Sequence, residues 1–303
     1  MIDKCCISIN AQCNIACRYC HFYENDSLYM PKIATFSQKE LCVILENILE
    51  YANAYKIQRF SIGFAGGGEP LLAWDILKQG VWAIHQKDTS KRLRFYIITN
   101  GILLDSHFLK TYKNLATFVN LVVSLDGDAK THNTNRIYKH HKGTHENIMQ
   151  NIGIYKSLFG KMPDINLCVS RLSLQRKQEI LHFLLDNGFD NLTFTRLFHC
   201  KDTTQEISQK EFMDFVYFFS QYPFIIRNIE AIRQNKKDCI MYGNTCGVGF
   251  NNVFYFDKKV YPCMRFTGDS KNILGDYDSS LLSLEQSMQK LQRPCEACYY
   301  EEY

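Results

Sequence analysis

Residues 13–20 read CNIACRYC and place three cysteines at Cys13, Cys17 and Cys20, directly after the strand-like run CCISI at 5–9. Three thiolates suit an iron–sulfur cluster in which three irons are bound by the protein and the fourth keeps an open coordination position. A zinc site typically uses four ligands with C-x2-C pairs, and a disulfide patch is disfavoured in a reducing compartment. The spacing therefore favours a reactive iron–sulfur centre over these two alternatives.

The chain after this stretch alternates strands and helices. Apolar runs such as YIIT and LVVSL are typical of parallel strands buried on both faces. The predicted strands lie at 5–9, 59–65, 93–99, 118–125, 165–169 and 192–197. The predicted helices lie at 37–55, 75–86, 105–115, 144–159 and 175–187, and Ser37 with Glu40 three positions later predicts a capping box at the start of the first. Six strands in this rhythm predict an α/β fold with a partial (β/α)6 TIM-type barrel.

Chemically distinctive stretches follow four of these strands. CNIACRYC follows the first strand, AGGGEP (65–70) the second and TNG (99–101) the third, and SLDG (124–127) closes the fourth. In parallel βα architectures the active site forms on the loops at the carboxyl ends of the strands. We therefore expect these stretches to form one site.

The alternation ends at about residue 208. Helical segments reach residue 237, and a hairpin candidate, VFYFDKKVYPC, precedes a helix near 281–291. We expect a barrel at 1–205, a helical linker at 206–237 and a small α+β domain at 238–303. Four cysteines in the last part could close a metal cluster completely: Cys246, Cys263, Cys295 and Cys298.

Composition narrows the class of protein. The 303 residues are 46% hydrophobic and 22% charged, with a net charge of +4 from scattered lysines and arginines, so nucleic acid is not an expected partner. No stretch approaches the roughly 20 apolar residues of a membrane span, and MIDKCC does not resemble a secretion signal. We expect a cytoplasmic protein. Thirteen cysteines then indicate metal or redox chemistry rather than disulfides.

The spacing CxxxCx(aromatic)C, with Tyr19 in the aromatic position, resembles the signature of the radical S-adenosylmethionine (radical SAM) superfamily. The resemblance spans nearly the whole chain. It implies a 4Fe–4S cluster on the three cysteines, with the amine and carboxylate of SAM chelating the open iron. Reductive cleavage of SAM would yield a 5'-deoxyadenosyl radical that abstracts hydrogen, while the protein supplies positioning and electrostatics.

The resemblance assigns Gly67, Gly68 and Glu69 to the GGE motif of that family. There, glycine lets the backbone approach the ligand, and the carboxylate receives the methionyl ammonium of SAM. A tight turn before the helix that follows Pro70 is the alternative explanation of the same residues. Their position after the second strand favours the motif.

The resemblance also assigns cofactor contacts to the third and fourth strand ends. Ser124 and Asp126 lie where related enzymes contact the ribose or carboxylate of SAM, and Arg136 matches a position that pairs the carboxylate. A solvated surface arginine is an equal alternative. Thr99 and Asn100 are further cofactor candidates, although Asn-Gly is also a common turn.

A histidine group at His140, His141 and His145 could suggest a metal site. The surrounding residues are those of a solvated loop, and we expect the histidines to lie in one.

The C-terminal cysteines resemble those of a twitch domain, a shortened SPASM domain that carries one auxiliary 4Fe–4S cluster in radical SAM enzymes. Their ligands would be Cys246, Cys263, Cys295 and Cys298. Full SPASM domains bind two clusters with more cysteines, so we expect a single auxiliary cluster. Cys239 could replace one of the four ligands, and a structural zinc site is the alternative to the cluster.

Radical SAM enzymes with such modules act mostly on peptides and proteins, so the resemblance implies a peptide substrate, with maturation of a ribosomally made peptide as the leading hypothesis. The product would carry a crosslink, an epimerised centre or an oxidation. Epimerisation needs a thiol hydrogen donor, and Cys200 and Cys239 are the candidates, although each also suits a packing role.

Two other functions stay open: a twitch-type dehydrogenase of a small alcohol or sugar, and a non-catalytic iron–sulfur or zinc module. AGGGEP and Arg136 argue against the second, since an electron carrier needs no cofactor pocket. A flavodoxin or ferredoxin would be the reducing partner of either enzyme.

Overall fold

A computed structural model of the chain describes residues 1–20, 22, 35–197, 202–233 and 251–290, with only the backbone given at 231–233. Within these residues the strands form one ten-stranded sheet, in the order β10-β9-β8-β1-β2-β3-β4-β5-β6-β7. The strands are β1 (Lys4–Ile7), β2 (Phe60–Phe64), β3 (Leu93–Thr99), β4 (Val119–Ser124), β5 (Asp164–Val169), β6 (Asn191–Arg196), β7 (Ile225–Ile226), β8 (Asn252–Phe256), β9 (Lys259–Tyr261) and β10 (Gly275–Asp276).

Strands β1 to β6 pair in chain order and all run parallel, which is the arrangement of a partial TIM-type barrel. The predicted α/β fold is therefore confirmed. Because the strands are parallel, their carboxyl ends lie at one edge of the sheet, and the loops that follow β1, β2, β3 and β4 meet there.

The helices are α1 (Gln38–Ala54), α2 (Trp74–Lys87), α3 (Ser106–Tyr112), α4 (Ala129–Asn135), α5 (His145–Phe159), α6 (Arg171–Gln175), α7 (Lys177–Asn187), α8 (Gln209–Phe219), α9 (Arg227–Arg233) and α10 (Leu281–Lys290). Helix α1 begins with the predicted capping box, in which the Ser37 hydroxyl accepts from the Glu40 N–H. The sequence pattern did not predict α4. It did not predict α6 either, since the predicted helix at 175–187 corresponds to α7, which follows Arg176.

The main core lies between the sheet and its helices. Alternate strand residues such as Phe95 and Ile97 on β3 are fully buried there, as are Ile44 and Ile48 on α1. The residues between them on the strands face the barrel interior and are less buried, because the period of a strand is two. This interior face leads directly to the edge where the loops meet.

The predicted C-terminal hairpin forms from β8 and β9, and it extends the barrel sheet. Strand β8 pairs in parallel with β1, so that Cys5 lies opposite Val253. Helix α10 packs beside α1, where the Tyr51 hydroxyl donates to Glu285 Oε2 at 2.7 Å. The hairpin that carries Cys263 is therefore bound directly to the strand that precedes the N-terminal cysteines.

No described helix of this chain combines the length and the apolar character that a membrane span requires.

Candidate active site

The loop that carries Cys13, Cys17 and Cys20 is held along one side by the segment that follows α4. The Ala16 N–H donates to the carbonyl of Ile137 at 2.7 Å, and the Arg18 N–H donates to the carbonyl of Asn135 at 2.9 Å. These two bonds flank Cys17 and place it opposite Arg136. The position of the second cysteine is therefore set by a segment more than 100 residues later in the chain.

The three thiols lie close enough to influence one another, and each is partly buried. Burial raises the pKa of Cys17 to about 12, while the Arg136 guanidinium lowers it and the Cys20 and Cys13 thiols raise it. Burial also raises the pKa of Cys13. Thiolates in this loop therefore need a cationic partner, which iron supplies when a cluster is bound.

Arg136 is buried and pairs with Asp126. Its Nε donates to Asp126 Oδ2 at 2.9 Å, and the Tyr19 hydroxyl donates to the same oxygen. The Cys168 N–H donates to the other oxygen, Oδ1, at 3.0 Å. The guanidinium also lies 5.4 Å from the centre of the Tyr19 ring, with Nη1 4.0 Å from Cys17 Sγ. The surface interpretation of Arg136 is therefore wrong.

His132 is fully buried and, through Thr144, links the backbone of Asp126 to the backbone of Arg136. The Asp126 N–H donates to His132 Nδ1 at 3.2 Å, and His132 Nε2 lies 2.9 Å from Thr144 Oγ1. The Thr144 hydroxyl donates to the carbonyl of Arg136 at 2.9 Å, so the proton between the imidazole and Thr144 belongs to Nε2. Burial lowers the pKa of His132 to about 3, and the ring is neutral.

Glu69 lies at the carboxyl end of β2 and is only 2% exposed. Its Oε1 accepts from the Thr99 hydroxyl at 2.7 Å and from the Leu71 N–H at 3.1 Å, and its Oε2 accepts from the Asn100 N–H at 2.8 Å. Burial raises the pKa of Glu69 to about 7, and these hydrogen bonds oppose the rise. The donors are neutral, so the carboxylate can still receive a cation.

The glycines before Glu69 are required by close packing against the residues that lead from β1 to Cys13. A Cβ on Gly67 would lie 2.0 Å from Ser8 Oγ, and a Cβ on Gly68 would lie 2.2 Å from the carbonyl oxygen of Gln12. The Glu69 N–H donates to that same carbonyl at 2.7 Å. The glycine turn therefore fixes the cysteine loop and Glu69 relative to each other.

Asn100 connects the third strand end to the first cysteine. Its Nδ2 donates to Asn14 Oδ1 at 2.7 Å and lies 3.7 Å from Cys13 Sγ. Ser124 is buried at the end of β4, next to the Asp126 loop. The predicted residues from the first four strand ends therefore lie at one edge of the barrel, as the sequence indicated.

Comparison with known proteins identifies the family. The model of the Radical SAM superfamily matches residues 7–198, which is more than half of the chain. The chain belongs to the radical SAM superfamily. It is a radical SAM enzyme, and the match includes every residue of the site described above.

Relatives of this radical SAM enzyme include the cysteine-type anaerobic sulfatase-maturating enzyme of Clostridium novyi (strain NT), which is 26% identical over 284 residues, or 87% of this chain and 74% of that protein. The fold also matches native anSMEcpe with bound AdoMet and Cp18Cys peptide, with a TM-score of 0.73 and 20% identity over 92% of this chain and 79% of that one. It matches Streptococcus suis SuiB bound to precursor peptide SuiA with a TM-score of 0.66 and 17% identity, over 94% and 64% of the two chains.

The residues of this site fit the cluster and the SAM that the family implies. Asn14 Nδ2 is a buried donor without an acceptor in the described part of the chain, beside Cys13, and a sulfur of a cluster would satisfy it. In the same part of the chain, no three His, Cys, Asp or Glu side chains converge on one metal ion.

The three histidines considered as a metal group do not lie together in one solvated loop. His140 and His141 are exposed, and the His140 ring stacks on Tyr138 with centroids 5.2 Å apart. His145 packs between Phe183 and His132 instead. The expected solvated loop is confirmed for the first two residues, and His145 is a packing residue.

Of the predicted auxiliary ligands, only Cys263 lies within the described residues, buried beside Met264 and Phe266 after β9. The other candidate ligands and both candidate hydrogen donors lie outside them: Cys200, Cys239, Cys246, Cys295 and Cys298.

Sequence reasoning missed three contributors to this site. His132 and Thr144 hold the Arg136 segment, and Cys168 donates its N–H to Asp126 and packs against Tyr19. The spacing of His132 and Arg136, four residues apart, was the available signal, because such residues share one side of a helix.

Proposed function

We propose that this radical SAM enzyme binds a 4Fe–4S cluster at Cys13, Cys17 and Cys20, binds SAM beside it, and modifies a peptide. When bound together, the cluster and SAM supply a 5'-deoxyadenosyl radical that abstracts a hydrogen atom. The observation that carries the proposal is the convergence of the three thiols with the Glu69 carboxylate and the buried Arg136–Asp126 pair at one edge of the barrel.

The two charged groups suit the two ends of the methionyl part of SAM. Glu69 is a buried carboxylate with neutral donors, so it suits the ammonium group. Arg136 uses Nε for Asp126, and its remaining N–H donors suit the methionyl carboxylate beside Cys17. Ser124 would contact the ribose or carboxylate, while Asp126 and Tyr19 orient the arginine.

A peptide is the substrate class that the relatives favour. The similar sulfatase-maturating enzyme acts on a protein by its name, and both solved relatives were captured with peptides. The barrel interior of this chain also offers amide and hydroxyl groups, since the Thr195 hydroxyl donates to Asn166 Oδ1 at 2.9 Å between β6 and β5. Such groups complement peptide N–H and C=O groups.

The C-terminal cysteines complete the proposal with one auxiliary 4Fe–4S cluster, bound by Cys246, Cys263, Cys295 and Cys298. The direct pairing of β8 with β1 supports electron transfer between the two centres, since the hairpin and the cysteine loop both adjoin β1. We propose one of three reactions for the peptide: crosslinking, epimerisation or oxidation. In an epimerase, Cys200 or Cys239 would be the hydrogen donor. A flavodoxin or ferredoxin would reduce the clusters.

The proposal is tested by anaerobic reconstitution with iron and sulfide, reduction with dithionite, and chromatography of the SAM products. The wild-type enzyme is expected to form 5'-deoxyadenosine, and Cys17→Ala is expected to form none. Cys42→Ala is the matched control, because Cys42 lies on α1, outside the site. A wild-type enzyme with a full complement of iron and sulfide and no 5'-deoxyadenosine would refute the proposed chemistry.

The substrate class is tested separately with deuterated compounds. A deuterated peptide encoded beside the gene is expected to transfer deuterium to 5'-deoxyadenosine. Transfer from a deuterated polyol, with none from the peptide, would replace the peptide proposal with a dehydrogenase of small alcohols or sugars.

A further inference from the structure

The orientation of the Asn100 side chain is determined by its own turn. The Ile102 N–H donates to Asn100 Oδ1 at 3.0 Å, and an N–H group can only donate to the oxygen end of an amide. The NH2 end therefore faces Cys13, with Nδ2 3.7 Å from Sγ and 2.7 Å from Asn14 Oδ1. Asn100 thus presents a donor to the first cysteine.

The turn that holds Asn100 is bonded from several directions. The Asn100 N–H donates to Glu69 at 2.8 Å, and Asn151 Nδ2 donates to the carbonyls of Gly101 and Ile102 at 2.9 and 3.0 Å. The side-chain bond to Asn14 adds a tie to the cysteine loop itself. Because the turn is fixed before any cofactor binds, the donor is positioned for a thiolate at Cys13 without rearrangement.

An N–H group that donates to a cluster thiolate stabilises the reduced cluster more than the oxidised one, since the reduced cluster carries one more negative charge. Hydrogen bonds to cluster sulfurs are one of the means by which proteins set reduction potentials, and partial burial strengthens them. We propose that Asn100, oriented by Ile102 and Asn14, donates to the Cys13 thiolate and raises the reduction potential of the N-terminal cluster. This inference rests on the proposed function of Cys13, Cys17 and Cys20.

The test compares two variants of the same turn. Asn100→Ser removes the donor to Cys13, while serine can still accept from the Ile102 N–H in an equivalent local turn. Asn151→Ala removes two bonds to the turn from the other side and leaves the Asn100 side chain intact. Both proteins are reconstituted anaerobically and titrated with a reductant, and the electron paramagnetic resonance signal that changes on addition of SAM is followed.

We expect the ratio of reduced to oxidised cluster, at a fixed potential, to fall about tenfold in Asn100→Ser, which is about 59 mV for a one-electron couple. Asn151→Ala is expected to keep the wild-type potential. Equal potentials in all three proteins, or equal shifts in both variants, would overturn the inference. If Asn100→Ser does not assemble a cluster, Asn100→Leu, which has a similar size, no charge and no side-chain N–H donor, is expected to show a potential lower than that of the wild type. A wild-type potential in that variant would overturn the inference.

The inference and the proposed function fail differently. No signal that responds to SAM in the wild-type protein would refute the proposed function. A signal that responds to SAM and has the wild-type potential in the Asn100 variants would refute only the role of Asn100.

Discussion

Two buried carboxylates follow strands β2 and β4 at the same edge of this barrel, and their surroundings differ. Glu69 and Asp126 are each 2% exposed. Asp126 is paired with the Arg136 guanidinium, whereas Glu69 accepts only from the neutral groups of Leu71, Thr99 and Asn100 within the described part of the chain. Among the described residues, the charge of Asp126 is therefore balanced by a paired cation, and the charge of Glu69 is not.

The difference separates a positioning group from a binding group. Asp126 is neutralised, so it holds Arg136 and Tyr19 against Cys17. Glu69 bears the cost of burial, which raises its pKa to about 7, and a cationic ligand would remove that cost. The comparison therefore supports the proposal that Glu69 binds the ammonium group of SAM.

The largest expected effect comes from breaking the balanced pair. Arg136→Met leaves Asp126 as an uncompensated buried charge, and loss of one partner of a buried pair costs about 3–5 kcal/mol of unfolding free energy. Urea denaturation of the cluster-free protein measures this loss of unfolding free energy. Lys78→Met is the control, because the Lys78–Asp75 pair is exposed and such pairs contribute about 0–1 kcal/mol. Equal losses in the two variants would contradict the proposed difference between the pairs.

The unbalanced carboxylate predicts a pH dependence. Glu69 has a raised pKa, so its stabilising contribution is complete below the unfolded pKa of 4.5 and is lost as the pH rises through about 7. The stability of Glu69→Gln relative to the wild type is therefore expected to improve by about 3 kcal/mol between pH 4.5 and 7.5, because each tenfold change in a protonation equilibrium corresponds to about 1.4 kcal/mol. Denaturation midpoints of the SAM-free protein across this range measure the change. A difference in stability between the two proteins that does not vary with pH would contradict an unbalanced charge at Glu69.

The histidine beside the balanced pair predicts the opposite slope. The pKa of His132 is lowered to about 3, so its contribution is complete above the unfolded pKa of 6.5 and is lost as the pH falls below that value. His132→Asn keeps an acceptor for the Asp126 N–H and cannot titrate. Its stability relative to the wild type is expected to improve by about 2–3 kcal/mol between pH 6.5 and 4.5. The exposed His107→Asn variant should show no such gain.

The smallest expected effect concerns the turn that places Glu69. Gly68→Ala puts a Cβ within 2.2 Å of the Gln12 carbonyl, and such overpacking costs about 1–3 kcal/mol. Gly153→Ala lies in α5 with nothing within 4 Å of the new Cβ, so it is expected to stabilise by about 0.5–1 kcal/mol. Thermal unfolding compares the two. Unchanged thermal stability in Gly68→Ala would contradict the packing role of Gly68.

Prediction from sequence was strongest where the signal is local. The capping box at Ser37, the apolar strand runs and the cysteine spacing each lie within a few residues, and the structure confirms the barrel they predicted. Helix α4 escaped prediction, since its residues, AKTHNTN, include several poor helix formers. It is held instead by tertiary bonds, such as that from the His132 ring to Thr144.

By itself, the sequence determined the order of strands and helices and which strand each chemically distinctive stretch follows, because both depend on neighbours along the chain. Through its family resemblance it also gave Glu69, Asp126 and Arg136 expected roles toward SAM, but it left open whether Arg136 is a surface residue. Only the tertiary structure decided that Arg136 balances Asp126 and leaves Glu69 able to receive a cation. The cost of a buried charge depends on which groups surround it in space, and those groups come from distant parts of the chain.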